Sequence, residues 1–466
     1  MAVRSSLYRA SAVIILILLM LLKSSGLLED SELMAKVSSA NVSLNVKSFG
    51  AKGDGRTNDT AALQKAFGQA AGGGRTVYFP KGTYLVDSTR DLIIPSGTTV
   101  TGDGAGSVIK AGTGSFGWEL LRAAGSDITV TRLTLDGNNQ VNRVLVVAGG
   151  SQRVTLSGLT VANASQSLIP GSEGYGEVVC GIVIYGNTKQ ITVSGVEVKN
   201  ITAINSRTGD PIARGIYITA TWGSKETVAR QVSIQGSYIH HVGPADDGDG
   251  IYFEDPGMDS GSGQLSDSVI SGNTFDHVAK RGIKIYAEGI VVKGNHITNS
   301  YLNNNRYQAG ADKGQLAPDM YAAISLYGSH LSAENNIIDG VGSYYAAIEV
   351  AAGTQVEDIA ITGNRITMGA GSRVQGTTSI RLGSLSDFNI SGNTISGGER
   401  GIWTWQNASD GTISSNIITV KQGGGIDLST YLQGYVQQNI TVENNKIMAG
   451  TFTIRQGAGN KNIVIR

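Results

Sequence analysis

The side chains best suited to move protons crowd into one stretch, His240-His-Val-Gly-Pro-Ala-Asp-Asp-Gly-Asp-Gly-Ile-Tyr-Phe-Glu-Asp255. A second set follows a few dozen residues on: Lys280, Arg281, Lys284, Tyr286 and Glu288. Acids and bases held side by side shift one another's pKa, the condition for one group to take a proton near neutral pH while another gives one. A lysine desolvated among tyrosines loses proton affinity, which makes Lys284 the candidate base. Arg281 and Arg214 are the candidate anchors for an anionic substrate group, and Asp249, Tyr252, Glu254 and Asp255 complete the catalytic candidates. The alternative is a Gly/Asp-rich loop of solvated charges.

The element that must position these residues is a short strand, Gly250-Ile-Tyr-Phe-Glu-Asp255, which recurs along the chain. Copies are Gly181-Ile-Val-Ile-Tyr185, Gly215-Ile-Tyr-Ile-Thr219, Gly282-Ile-Lys-Ile-Tyr286, Ala323-Ile-Ser-Leu-Tyr327, Ala347-Ile-Glu-Val350, Ser379-Ile-Arg-Leu382, Gly401-Ile-Trp-Thr-Trp405 and Gly425-Ile-Asp-Leu428. Such repetition specifies a solenoid whose coils stack strand on strand. Side chains alternate across a strand, so the isoleucines and the residues two places on (Ile218, Phe253, Ile285) line the core. Two columns then face outward at the ~4.8 Å inter-strand spacing. The first is Val183, Tyr217, Tyr252, Lys284, Ser325, Glu349, Arg381, Trp403 and Asp427. The second is Tyr185, Thr219, Glu254, Tyr286, Tyr327, Ala351, Gly383, Trp405 and Ser429. Aromatic rings suit the C–H faces of sugars, and interspersed charges and hydroxyls suit their polar rims. The face is expected to be a shallow polysaccharide groove with Tyr217, Arg214, Tyr286, Tyr327, Glu349, Arg381, Trp403 and Trp405 as contacts; Asp210 and Asp427 flank it.

A second repeat, Ile-Ser-Gly-Asn273, Val-Lys-Gly-Asn295, Ile-Thr-Gly-Asn364 and Ile-Ser-Gly-Asn393, with Asn336, Asn416 and Asn445 in degenerate copies, predicts a turn whose asparagines stack. Insertions fall at 165–179, 203–213, 241–249, 256–264 and 300–320, which places the working site around 205–330. The 466 residues hold 64 glycines, as frequent tight turns require. Lys plus Arg and Asp plus Glu both number 37, so no net field argues for nucleic acid. The single cysteine, Cys180, excludes an internal disulfide framework and reads as a small apolar side chain. Residues 1–26, with Arg4 and Arg9 before the apolar run 10–22, predict an export signal or an uncleaved anchor, and 27–43 a linker. The expected location is therefore secreted, periplasmic or cell-surface, with membrane attachment only through that anchor. The terminal strand, residues 460–466, lacks a covering helix; a monomer is expected, with oligomerisation through this open coil as the alternative.

The opening segment carries a family resemblance. Asn45-Val-x-x-Phe-Gly-Ala-x-Gly-Asp-Gly-x-x-Asn-Asp-Thr60, followed by Gly73-Gly-x-x-Val-Tyr-Phe-Pro-x-Gly-x-Tyr84, resembles the start of the pectate-lyase-like superfamily: rhamnogalacturonases, polygalacturonases, alginate epimerases and phage tailspikes. The resemblance implies an all-β, single-stranded, right-handed parallel β-helix of about ten coils. Its amino-terminal end would be covered by an amphipathic helix, which Asn58 can cap and whose apolar face is Ala62, Leu63, Ala66, Phe67 and Ala70. The cap and first coils would take residues 44–125, and the groove-bearing β-helix 126–466.

For activity it implies three chemistries on an acidic, uronate-containing polysaccharide. β-Elimination, the favoured one, would use Lys284 as base, an arginine on the carboxylate, and, by family analogy, Ca²⁺ held by Asp249, Glu254 and Asp255. Inverting hydrolysis would pair Asp247 or Asp249 with Glu254 or Asp255 across roughly 6.5–9.5 Å. Asp246-Asp247 and Arg281-Gly-Ile-Lys284 resemble two polygalacturonase motifs, but no Gly-His-Gly is present. C5-epimerisation is suggested by Tyr252-Phe-Glu-Asp-Pro-Gly257, which is similar to the epimerases' Tyr-Gly-Phe-Asp-Pro-His except that Gly257 replaces histidine; His240 or His277 are the candidate substitutes. A non-catalytic carbohydrate-binding or cell-surface β-helix is the rival class. No organic cofactor is expected.

Overall fold

The computed structural model describes residues 43–203, 211–243, 245, 247–298, 322–340, 346–351, 354–369 and 377–466. The expected signal and linker before Ser43, together with Asp210, Asp246 and the whole 300–320 insertion, lie outside them.

Each coil contributes one short strand to each of three parallel sheets, of 15, 14 and 13 strands. Residues 126–147 show the cycle: Ser126–Thr131 in the first sheet, Thr134–Asp136 in the second, Val141–Val147 in the third. Every strand pairs in parallel with its counterpart one coil away, for example Leu145 with Ile182 and Ile182 with Ile216. Returning to the same sheet through connections of this kind gives a right-handed parallel β-helix. The third sheet has 13 strands rather than the expected ten or so. The difference is in strands such as Gly117–Ala123, Val141–Val147 and Ile454–Gln456, which lack the Gly-Ile signature but pair in the same register.

The nine signature strands of this sheet are β1 (Val179–Tyr185), β2 (Ile212–Thr219), β3 (Asp247–Glu254), β4 (Ile283–Tyr286), β5 (Ala322–Leu326), β6 (Ala346–Val350), β7 (Thr378–Leu382), β8 (Arg400–Thr404) and β9 (Gly424–Leu428). Their isoleucines, from Ile182 to Ile426, are completely buried, each contributing on the order of 1.5–3 kcal/mol. A glycine precedes six of the nine, with Ala323, Ala347 and Ser379 at the other three, and close approach explains the glycine. A Cβ on Gly250 would lie 2.5 Å from the Phe275 ring and 2.6 Å from the Gly282 carbonyl oxygen. This corner turns two successive residues inward, so the residue before the glycine emerges on the outer face.

The asparagine ladder is present. Asn336 Nδ2 donates to the Val292 carbonyl at 2.9 Å and to Asn364 Oδ1 at 3.0 Å, and the same pattern links Asn295 to Asn336 and Asn364 to Asn393. The left-handed turn conformation belongs to the preceding residue (Gly272, Gly294, Asn335, Gly363, Gly392), while the ladder asparagine itself is buried. At the amino-terminal end, helix α1 (Thr60–Ala70) buries Leu63, Ala66, Phe67 and Ala70 over the first coils, with Phe67 6.3 Å from Phe79. Asn58 Oδ1 accepts from the Thr60 amide at 3.0 Å, whereas Asp59 accepts from the Lys52 and Gly53 amides and so fixes the preceding loop. Among the described residues no helix is long and apolar enough to cross a membrane.

Candidate functional site

The outward columns stack as expected. Tyr217 pairs with Tyr252, Tyr252 with Lys284, Lys284 with Ser325, and the column continues through Glu349, Arg381 and Trp403 to Asp427. Parallel in-register pairing superposes equivalent positions, so a sequence period becomes a spatial row. The Tyr217 and Tyr252 rings stack with centroids 5.2 Å apart and 13° between planes. Lys284 Nζ lies 4.1 Å from the Tyr252 ring centroid. Among the described residues that ammonium has no hydrogen-bond or ion-pair partner. Burial lowers the Lys284 pKa, Asp249 pulls it back up, and the positive fields of Arg281 and Arg214 push it down; the net direction is downward. Beside it, Glu254 accepts from Tyr217 Oη at 2.6 Å, Thr219 Oγ1 at 2.6 Å and Tyr252 Oη at 3.1 Å. Burial and the Glu254 charge raise the pKa of both tyrosines, so both phenols stay protonated.

Beneath this layer runs a charge ladder in a third column, two residues before each isoleucine. Arg214 reaches Asp247 Oδ2 at 2.8 Å and Asp249 Oδ2 at 3.0 Å. From the next coil Arg281 reaches Asp247 Oδ1 at 3.0 Å and Asp249 Oδ1 at 3.1 Å. Asp249 is fully buried, and Arg214 and Arg281 are only 4 % exposed. The two guanidiniums hold the Asp247 carboxyl far below the usual carboxylate range against the opposing effect of burial.

This corrects several expectations. Asp249 is fully buried between two arginines and is not open to the groove, where a metal ligand or an acid–base group was expected. Arg214 is buried under Tyr252 and does not reach the groove as a substrate contact; its guanidinium lies 5.1 Å from the Tyr252 ring. Asp255, 1 % exposed, accepts from the Gly257 amide at 2.7 Å and the Gln264 amide at 2.9 Å, so it anchors the 256–264 loop. The strand ends at Glu254, and Asp255 turns away with the loop. Asp249, Glu254 and Asp255 therefore have separate partners, and among the described residues no group of three or more His, Cys, Asp or Glu is placed to hold a metal ion. The pairs expected for inverting hydrolysis lose Asp247, Asp249 and Asp255 to arginines and loop amides. His240 and His277 lie on the second sheet, where His240 meets Glu197 at 3.2 Å and His277 meets Asp276 at 2.9 Å. Neither replaces the histidine missing at Gly257.

Over the groove, the loop anchored by Asp255 brings Asp259 to Tyr286, whose hydroxyl donates at 2.6 Å and whose pKa rises to about 12 through that bond. A cleft of about 930 Å³ opens between this loop and the sheet, with Tyr252, Glu254, Arg281, Lys284, Tyr286 and Tyr327 in its wall. Sequence reasoning put Thr219 in the second column but not among the contacts, and it missed the double pairing of Asp247 and Asp249 and the role of Asp259. The third column, left unaligned, carried a signal for Arg214, Asp249 and Arg281. Further along, Tyr327 Oη donates to Glu349 at 2.9 Å, and Arg381 donates to the same carboxylate at 2.9 Å while its guanidinium lies 3.9 Å from the Trp405 ring. Glu349 and Arg381 are 2 % and 5 % exposed, so they brace Tyr327 and Trp405 from below and do not present free charges. Burial raises the Glu349 pKa, partly offset by Arg381. Trp403 donates its indole N–H to the Ser429 carbonyl at 2.7 Å and is itself 5 % exposed.

Fold and site together define a right-handed β-helix with an aromatic groove on one sheet. The chain belongs to the rhamnogalacturonase A/epimerase, pectate-lyase-like family, whose model matches residues 43–311; a right-handed beta helix region matches 322–466. Alginate lyase 7 of Azotobacter vinelandii is 45% identical over 111 residues, which is 20% of this chain and 12% of that protein. A mannuronan C5-epimerase of the same organism is 42% identical over 110 residues, 20% of this chain and 11% of that protein. The matched region thus spans about a tenth of these relatives. In architecture the chain is similar to the Streptococcus pneumoniae surface adhesin PfbA, with a TM-score of 0.59, 19% identity, and 87% of this chain and 90% of that one covered. That likeness is one of fold alone.

Proposed function

We propose that this protein cleaves an acidic, uronate-containing polysaccharide by β-elimination, with Lys284 as base, and that it works outside the cytoplasm. The observation that carries this is the Lys284 ammonium, half-buried on the Tyr252 ring at 4.1 Å and facing the cleft with its proton affinity lowered. Lys284 Nζ removes the proton on the carbon beside the uronate carboxylate. That C–H electron pair becomes the new C=C bond, and the adjacent C–O bond breaks with its pair going to oxygen. Tyr252, kept protonated beside Glu254, supplies the proton the departing oxygen needs. Arg281 in the cleft wall contributes positive field at the substrate carboxylate, softened by its pairing with Asp247 and Asp249. The engagement of Asp247, Asp249 and Asp255 elsewhere favours elimination over hydrolysis by paired carboxylates.

C5-epimerisation shares the first proton transfer and differs in returning a proton to the opposite face of the same carbon; the tyrosine hydroxyls around the cleft favour it as the second reading. The test is incubation with alginate, polygalacturonate and other uronate polymers. Ultraviolet-absorbing unsaturated ends support elimination, and a changed uronate composition at constant chain length supports epimerisation. New reducing ends without absorbance would overturn both.

A further inference from the structure

The groove is closed at one end. Along the outer face of the third sheet, Tyr217 is followed toward the amino terminus by Val183 and then Val146. Positions of the first outward column are buried along much of the sheet, but here they are apolar, with Val146 fully buried and Val183 1 % exposed. Tyr185, 6 % exposed, is covered where Thr219, Glu254, Tyr286 and Tyr327 of the second column are partly exposed. Val146, Cys180, Val183 and Tyr185 form an apolar cluster separate from the interior core, against which Val178 and Tyr217 pack. The loop 166–178 lies at this place. It is cross-tied by Gln166 Nε2 to the Glu177 carbonyl at 3.0 Å and by a bridge between Ser167 and Tyr175. It folds back over the preceding coils: a Cβ on Gly174 would meet the Phe116 ring at 2.5 Å and Asn142 Cβ at 3.2 Å. Its tip stands clear of the body, with Leu168 61% and Ile169 65% exposed.

Beyond the loop acidic side chains outnumber basic ones more steeply than in the cleft around Lys284, where Glu254, Asp259 and Glu288 face Arg281 and Lys284. A separate cleft of about 470 Å³ there is lined by Asp91, Glu119, Glu173 and Glu177 against the single cation Arg122, which is already bidentate with Glu119. An anionic polymer that passed over the loop would meet a concentration of like charge. In the other direction, among the described residues, the groove runs on past Tyr286 and Tyr327 toward the tryptophans with no comparable cluster of acids.

We infer that the loop 166–178 makes this an end-binding groove, so that the protein takes an acidic polysaccharide by one terminus and releases a short product of uniform size. The inference rests on the polysaccharide function proposed above. From Lys284 to the wall there are two coils, those of Tyr252 and Tyr217. At ~4.8 Å per coil they leave roughly 10 Å, room for about two sugar units.

The test uses the full chain with size-fractionated alginate and polygalacturonate, counting new reducing ends, which any cleavage chemistry produces, against viscosity and product size. A single product of about two units from the earliest times, with viscosity lagging far behind ends formed, is expected. An early ladder of intermediate lengths with a steep viscosity drop would overturn the inference, whatever the absorbance shows. Replacing residues 168–173 by a short glycine link should convert the first pattern into the second; an unchanged product size in that folded variant would also overturn it. Binding gives an arm independent of turnover. At equal mass of polymer, retention of the protein should scale with the number of chain ends, and retention set by mass alone would refute end binding. Failure to bind or cleave any of these polymers would instead remove the function on which the inference stands.

Discussion

At the scale of single residues, the site is a desolvated lysine on a tyrosine ring, and two measurements separate a chemical role from a structural one. Lys284→Met should lower turnover by about 10²–10⁴-fold, the usual contribution of a positioned base. It should not lower the melting temperature. The folded-state pKa of Lys284 lies below the ordinary 10.5, so its favourable contribution is complete only above that pH and is lost as pH falls through the lowered value. At neutral pH the buried ammonium is therefore a cost, and an apolar replacement relieves it. Full activity in this variant would remove Lys284 as the base. In the wild type, activity should rise with pH along a limb whose midpoint lies below 10.5; a limb at the ordinary lysine position would contradict the desolvated environment. Asp249→Asn should behave in the opposite way, costing about 3–5 kcal/mol in urea unfolding because two buried guanidiniums then share one carboxylate. Asp247 adds an acid limit with the sign of a depressed carboxyl: its stabilisation is present above pH 3.8 and lost as pH falls through its lower folded-state value.

At the scale of elements, the ladder asparagines make a sharp prediction. Asn336 is fully buried, and its side chain links three coils through Val292, Asn295 and Asn364. Asn336→Ala leaves the Val292 carbonyl and the Asn295 amide without their side-chain partner, at about 1–3 kcal/mol for each buried group left unsatisfied. Denaturant unfolding checks it, and a change below about 1 kcal/mol would mean that water replaces the amide. The ladder was legible because Ser-Gly-Asn repeats in the chain, and the columns Tyr217–Tyr252–Lys284 and Glu349–Arg381–Trp403 were legible because parallel pairing carries a period directly into space. The Arg214–Asp249–Arg281 ladder was not. Simple alternation fails at the glycine corner, where Gly215 and Ile216 both face the core and Arg214 comes out on the groove side. Asp255 was misassigned for a related reason: alternation stops being informative where the strand ends, and the side chain follows its loop. The early coils escaped counting because Val141–Val147 holds its place by register without a Gly-Ile signature.

At the scale of the whole molecule, every coil touches only its neighbours, so stability is closer to a sum of coil and interface contributions than to one global core. The two ends then matter more than their size suggests. The amino-terminal end is shielded by α1, whose Leu63 and Phe67 are buried over the first coils. At the other end the last strand, Lys461–Ile465, leaves Val464 and Ile465 each 45% exposed. Phe67→Ala removes a ring 6.3 Å from Phe79 and should cost about 3–5 kcal/mol at that end. In a single cooperative core that loss would lower the stability of every strand equally. In a stack it falls on the first coils, which should open locally while the groove coils β2–β4 keep their structure. Hydrogen exchange of the variant should therefore quicken at amides within Thr76–Phe79 and Gly82–Val86 and leave those of Ile216, Ile251 and Ile283 near wild type. Uniform acceleration along the chain would instead show that the coils fold as one unit. Localised loss would mean that the groove around Lys284, several coils from the cap, keeps its structure when the fold's own beginning is damaged.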